Sequence, residues 1–140
     1  MQLVLSYQQL DYHFTKNLAL ALHKLTALTN MHLSLTNNNI GDIGTLYIAL
    51  ALLRLTLLST MTLELAENNI SDIGAASLKF SKKLTYMYLA LQHNNINIAR
   101  LFFPKKLTKL ELFLFRNNIR AARLFFPKTL TYLDLGLAQR

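Results

Sequence analysis

LTYMYLALQHNNI, residues 84–96, carries an apolar side chain at every second position from Met87 to Leu91, then breaks into two asparagines and an isoleucine. Period two is what a β-strand with one buried face requires, because successive side chains leave a strand on opposite sides. Asparagine suits the bend that follows, since its short amide bonds to nearby backbone groups and tolerates left-handed geometry. Ile96 then returns to the interior. The stretch reads as strand, turn and return.

The pattern recurs as LTNMHLSLTNNNI at 28–40, LSTMTLELAENNI at 58–70 and LTKLELFLFRNNI at 107–119. A further copy, LTYLDLGLAQR, begins at Leu130, and LVLSYQQL from Leu3 aligns with LSLTNNNI when shifted by 30 positions. The chain is thus expected to be one domain, 1–140, built as a partial repeat (1–27), repeats from 28, 58, 84 and 107, and a partial repeat (130–140). A unit that cannot bury its apolar face alone does so by stacking on its neighbours.

These units resemble leucine-rich repeats, whose motif is L-x-x-L-x-L-x-x-N-x-[L/I]. Setting the motif asparagine on Asn38, Asn68, Asn94 and Asn117 places the next apolar position on Ile40, Ile70, Ile96 and Ile119. The resemblance covers nearly the whole chain. It implies an α/β right-handed solenoid with a parallel sheet of about six strands on the concave side, and helices giving way to short turns on the convex side. It also implies that Asn38, Asn68, Asn94 and Asn117 form a structural ladder, their amides bonding to the backbone of adjacent turns. Nine residues separate the first leucine from the asparagine where the family motif has seven. A two-residue addition lengthens a strand by about 6–7 Å and keeps every side chain on its original face.

Between the strands the units differ. The first two carry GDIGTLYIALALLRL and SDIGAASLKFSKKL, in which Ile43, Leu46, Tyr47 and Leu50 recur at helical spacing behind the acidic first-turn residue Asp42. They are similar to the longer, helix-bearing repeats of the ribonuclease-inhibitor type. The last two share the heptapeptide ARLFFPK, at 99–105 and 122–128. Segments 97–104 and 120–127 are too short for more than a turn or two of helix before their prolines. Leu101, Phe102, Leu124 and Phe125 are expected to roof the core, with Phe103 and Phe126 filling the corners.

Composition bounds the function. Apolar residues make up 52% of the chain, enough for a substantial core, and there is no cysteine, which removes thiolate metal sites and thiol nucleophiles. No apolar run reaches membrane-spanning length and no signal peptide is evident, so a cytoplasmic protein with no membrane partner is expected. Charge is lopsided: three cations and five acids in residues 1–78, twelve cations and two acids in residues 79–140. A field of that sign favours an acidic partner.

Residues between the buried leucines form columns on the outer face of the sheet: Asn30, Thr60, Tyr86, Lys109, Tyr132; then His32, Thr62, Tyr88, Glu111, Asp134; then Ser34, Glu64, Ala90, Phe113, Gly136; then Thr36, Ala66, Gln92, Phe115, Ala138. Aromatic residues interleaved with charge are what interface hot spots are made of. The candidate partner-binding set is Tyr86, Tyr88, Lys109, Glu111, Phe113, Phe115, Tyr132 and Asp134. No catalytic residue, metal ligand or cofactor is assigned: the four histidines lack ligand spacing, and Glu111 and Asp134 lie on a flat surface without a phosphate loop or nucleophile elbow. Nucleic acid is disfavoured because the arginines are expected on the convex side, away from the aromatic residues. The resemblance implies a non-catalytic scaffold that binds a protein. A self-associating or engineered repeat, a homo-oligomer stacking through uncapped ends, is the alternative.

Overall fold

The structure, a computed structural model, describes residues 1–137. Residues 138–140, the end of the partial repeat 130–140 and with it the column position Ala138, lie outside the described residues. Eleven elements follow one another: β1 (Gln2–Val4), α1 (Tyr12–Leu22), β2 (Asn30–Ser34), α2 (Gly41–Leu52), β3 (Thr60–Glu64), α3 (Asp72–Ser77), β4 (Tyr86–Ala90), β5 (Ile98–Phe102), β6 (Lys109–Phe113), β7 (Ala121–Phe125) and β8 (Tyr132–Gly136). Six strands form one parallel sheet in the order β1-β2-β3-β4-β6-β8, and β5 and β7 form a second. The result is an α/β solenoid with a six-stranded parallel sheet.

Register follows the repeat spacing. Leu33 pairs with Leu63, Leu63 with Leu89 and Leu89 with Leu112, so one leucine column runs through the interior with 0% exposure. Met31, Met61, Met87 and Leu110 form a second column and Leu35, Leu65, Leu91 and Leu114 a third, all buried. Pairing continues past the strand ends: Leu65 N donates to Ala90 O at 2.8 Å and Glu67 N to Gln92 O at 3.2 Å. The extra dyad of each unit therefore adds backbone hydrogen bonds between neighbours as well as core leucines.

The bend after each strand turns on a residue in left-handed geometry. Tyr7, Asn37, Glu67, His93 and Arg116 have φ between 55° and 59° and occupy the same position in successive repeats, one residue before the first of the paired asparagines where those exist. Asn37 and His93 are residue types enriched in that region; Tyr7, Glu67 and Arg116 are not. The cost is offset by the asparagine that follows. Asn68 Nδ2 donates to Leu35 O (2.8 Å) and Ala66 O (2.9 Å), and Asn117 Nδ2 donates to Leu91 O (2.9 Å) and Leu114 O (3.0 Å). Asn38 Oδ1 accepts from Gln8 N and Leu10 N, reaching back into the first, partial unit. Each amide joins two coils, satisfying groups that stacking has taken from water.

The convex layer differs from its sequence reading in two respects. α2 turns Gly44, Thr45, Ile48, Ala49, Ala51 and Leu52 to the core, leaving Ile43, Leu46 and Leu50 exposed. Its sequence is apolar on every side, so helical spacing alone picks no face. The small residues are inward because α2 lies close to its neighbours: a Cβ on Gly44 would stand 2.9 Å from Thr15 Oγ1 of α1. Second, segments 97–104 and 120–127 contain the strands β5 and β7 where short turns were expected. Ala99, Leu101 and Phe103 point inward, whereas Arg100 and Phe102 point out. Phe102 and Phe125 therefore do not roof the core: each is 50% exposed. The adjacent phenylalanines of ARLFFPK belong to opposite faces of one extended segment, which is why the order Arg-Leu-Phe-Phe is kept. Phe80, Phe103 and Phe126 stack in a separate row, at centroid separations of 6.4 and 5.6 Å; Phe103 is buried as expected of a corner residue, but Phe126 is 38% exposed and does not fill one.

Candidate functional site

The concave face of β4, β6 and β8 brings the eight candidate residues onto one surface, because the registers Tyr86–Lys109–Tyr132 and Tyr88–Glu111–Asp134 align them across adjacent strands. Within the first row the Lys109 ammonium lies 5.2 Å from the ring centre of Tyr86 and 4.9 Å from that of Tyr132. Two ring faces thus hold one cation, and they fix a long side chain that would otherwise be free.

Glu111 is held from the side. The Tyr86 hydroxyl donates to its Oε2 at 2.6 Å, a diagonal contact between neighbouring rows. Desolvation, followed by this carboxylate, pushes the Tyr86 phenol up to about 12. Tyr88 is also raised, first by desolvation and then by Glu64, Glu111 and Asp134. Both phenols remain protonated hydrogen-bond donors at neutral pH.

Phe113 and Phe115 are half-buried. Phe113 packs against Tyr88 at 5.3 Å and meets Phe115 edge to face at 6.4 Å, while Phe115 is covered by His93 at 5.9 Å. Gly136 makes the space: a Cβ there would lie 2.8 Å from Phe113 Cδ1 and 3.3 Å from Phe115 Cδ1. Lys109, Tyr132 and Asp134 are exposed at the rim. His93 and Gly136 were not assigned from the sequence: the histidine sits on the turn and belongs to no strand column, and the glycine matters through the side chain it lacks.

Toward β1 the same face is polar. Glu64 accepts from Ser34 Oγ and lies 3.1 Å from His32 Nε2, and Asn30 Nδ2 donates to Thr60 Oγ1 at 2.6 Å. Gln2, Asn30, His32, Thr60, Thr62 and Tyr86 line a shallow open depression there. Across the concave sheet three carboxylates, Glu64, Glu111 and Asp134, face one lysine. The basic half of the sequence therefore does not make this face basic; its other cations lie elsewhere. Among the described residues, no group of three or more metal-ligating side chains converges.

A family model described as Leucine Rich repeat matches residues 29–49 and 58–79. That match covers two of the repeats, and together with six parallel strands in repeat register it supports a leucine-rich-repeat protein. Such repeats generally mediate protein–protein interaction, and the family is in general a non-catalytic binding scaffold. Neither the curated proteins nor the solved structures gave a match. Among the described residues, no helix is long and apolar enough to cross a membrane.

Proposed function

We propose that the chain is a non-catalytic scaffold whose concave face on β4, β6 and β8 binds a protein partner. The observation that carries this reading is the joined cluster of Tyr86, Lys109 and Tyr132 with Tyr88, Phe113 and Phe115. It offers fixed aromatic surface at low entropic cost beside carboxylates and phenolic donors. Three carboxylates against one lysine match a partner segment carrying an arginine or lysine among apolar residues, in place of the acidic partner expected from net charge.

Selection from a random-peptide display library tests the reading without knowledge of the source. Peptides enriched in basic and apolar residues should be recovered, and Tyr132→Ser together with Lys109→Ser should abolish their binding while the circular dichroism spectrum is unchanged. Peptides that bind both forms equally would count against the concave face.

A second reading, association through the solenoid ends, is favoured by one observation. Leu133 on β8 is 42% exposed, whereas its register partner Leu110 is 0% exposed. Sedimentation over a concentration series separates the two: a monomer at every concentration removes the end-to-end reading.

A further inference from the structure

On the opposite side of the molecule, β5 and β7 expose Ile98, Phe102 and Phe125 among Arg100, Arg123 and Lys79. Arg100 and Arg123 are register partners, so their side chains leave the same face side by side. The rings of Phe102 and Phe125 stack at 4.7 Å with 1° between their planes, and Lys79 Nζ stands 5.5 Å from the centre of Phe102. The apolar surface continues onto α3 through Ile73, 76% exposed, which lines one depression with Ile98 and Arg100; α2 also exposes Ile43, Leu46 and Leu50.

These cations are not neutralised within the chain. Among the described residues, no lysine or arginine lies within 4 Å of a carboxylate; the close pairs are Asp11 with His13 and Glu64 with His32. Between residues 73 and 133 there is a single carboxylate, Glu111, which lies on the other sheet. The acids in the first turns of α2 and α3 are engaged by backbone. Asp42 accepts from Ser71 N and Gly74 N, and Asp72 from Asn97 N and Ile98 N.

We propose that this convex face docks peripherally on a lipid surface bearing anionic headgroups, with Ile73, Ile98, Phe102 and Phe125 entering the interface and Arg100, Arg123 and Lys79 meeting the headgroups. Charge complementarity selects the occupant: exposed apolar side chains interspersed with unpaired cations are the pattern an anionic bilayer surface attracts. A single strand of nucleic acid would also meet the arginines, but it gains nothing from exposed isoleucines and leucines. It would also need open ring faces, and those of Phe102 are covered by Phe125 and Lys79. The sequence-based expectation of no membrane partner rested on the lack of a spanning segment, which has no bearing on surface contact.

Co-sedimentation with phosphatidylcholine vesicles, with and without phosphatidylserine, tests this. Binding is expected only with phosphatidylserine and should weaken as salt is raised. Each arginine removed should weaken it about fivefold, so Arg100→Gln with Arg123→Gln gives roughly 25-fold. Phe102→Ser with Phe125→Ser should cost about tenfold or more while the salt dependence persists. All four positions are exposed, and unchanged circular dichroism will show the fold intact. Absence of binding to the phosphatidylserine vesicles overturns the proposal. So does capture of a single-stranded oligonucleotide in its place, or a dimer in solution that Phe102→Ser with Phe125→Ser dissociates, either of which would assign the face to another occupant.

Discussion

Replacing Asn94 by alanine isolates what the asparagines contribute. Asn94 Oδ1 accepts from Asn68 N (2.9 Å) and Ile70 N (3.0 Å), and Nδ2 donates to Leu65 O (3.0 Å), Leu91 O (3.0 Å) and Gln92 O (3.3 Å). After truncation Leu91 O keeps the bond from Asn117, and Gln92 O keeps the bond from Glu67 N. Asn68 N, Ile70 N and Leu65 O are left without a protein partner, and all three residues are buried. Each orphaned group costs about 1–3 kcal/mol, so a loss on the order of 3–9 kcal/mol is expected. That is a large share of the roughly 5–15 kcal/mol that stabilises a typical domain. Asn95→Ala is the control, because Asn95 is exposed and its own N–H still donates to Ile70 O at 2.8 Å; its effect should stay within about 0.5 kcal/mol. Urea unfolding followed by circular dichroism reads both, with the midpoint shifting and the slope preserved. Asn94→Asp should rescue little, since it sets a carboxylate against Leu65 O and Leu91 O. If Asn94→Ala does not fold, Asn38→Ala gives the same test at a half-buried site, with a smaller expected loss. A difference below about 1 kcal/mol between the alanine variants at 94 and 95 would refute the reasoning.

Asp42→Ala removes acceptors for Ser71 N, Ser71 Oγ and Gly74 N, at the start of α3 in the next repeat; a loss of about 2 kcal/mol in urea unfolding is expected, more than for a solvent-facing carboxylate. Tyr86, raised to about 12, should be the late phase of a spectrophotometric titration of the six tyrosines, and Glu111→Gln should bring it part of the way back. Because its folded value exceeds the ordinary 10.0, the folded state keeps a proton that the unfolded state has released; the contribution is complete below pH 10 and lost as pH rises toward 12, so stability should fall across that window. Gly136→Ala should displace the Phe113 ring, shifting its aromatic proton resonances at a cost of about 1 kcal/mol; an unchanged spectrum would mean the rings do not lean over β8.

The sheet was legible because the same pattern recurs four times. Spacings of 30, 26 and 23 between Asn38, Asn68, Asn94 and Asn117 reappear as the offsets between Leu33, Leu63, Leu89 and Leu112 in the strand ladder. The convex layer was less legible, for two reasons. α2 is apolar all round, so its inward face is chosen by the close approach of α1 and α3, which no local pattern records. In ARLFFPK the doubled phenylalanine hides the alternation of Ala99, Leu101 and Phe103, and the following proline invites a turn reading. The concave columns followed from strand period, which brought Tyr86, Lys109 and Tyr132 into one row. Which rings would hold the ammonium, and the reach of Tyr86 to Glu111, depend on rotamers. Nothing in the order of residues encodes them.

The change from helices to strands in the outer layer also sets the shape of the stack. Packed helices sit about 8–10 Å apart and paired strands about 4.8 Å apart, so α1, α2 and α3 force the first repeats to fan outward into an arc. Where the outer layer is the paired strands β5 and β7, inner and outer spacings are equal and the fanning stops. Duplicating the unit that contains ARLFFPK would extend a straight rod; duplicating the unit that contains α2 would keep winding it round.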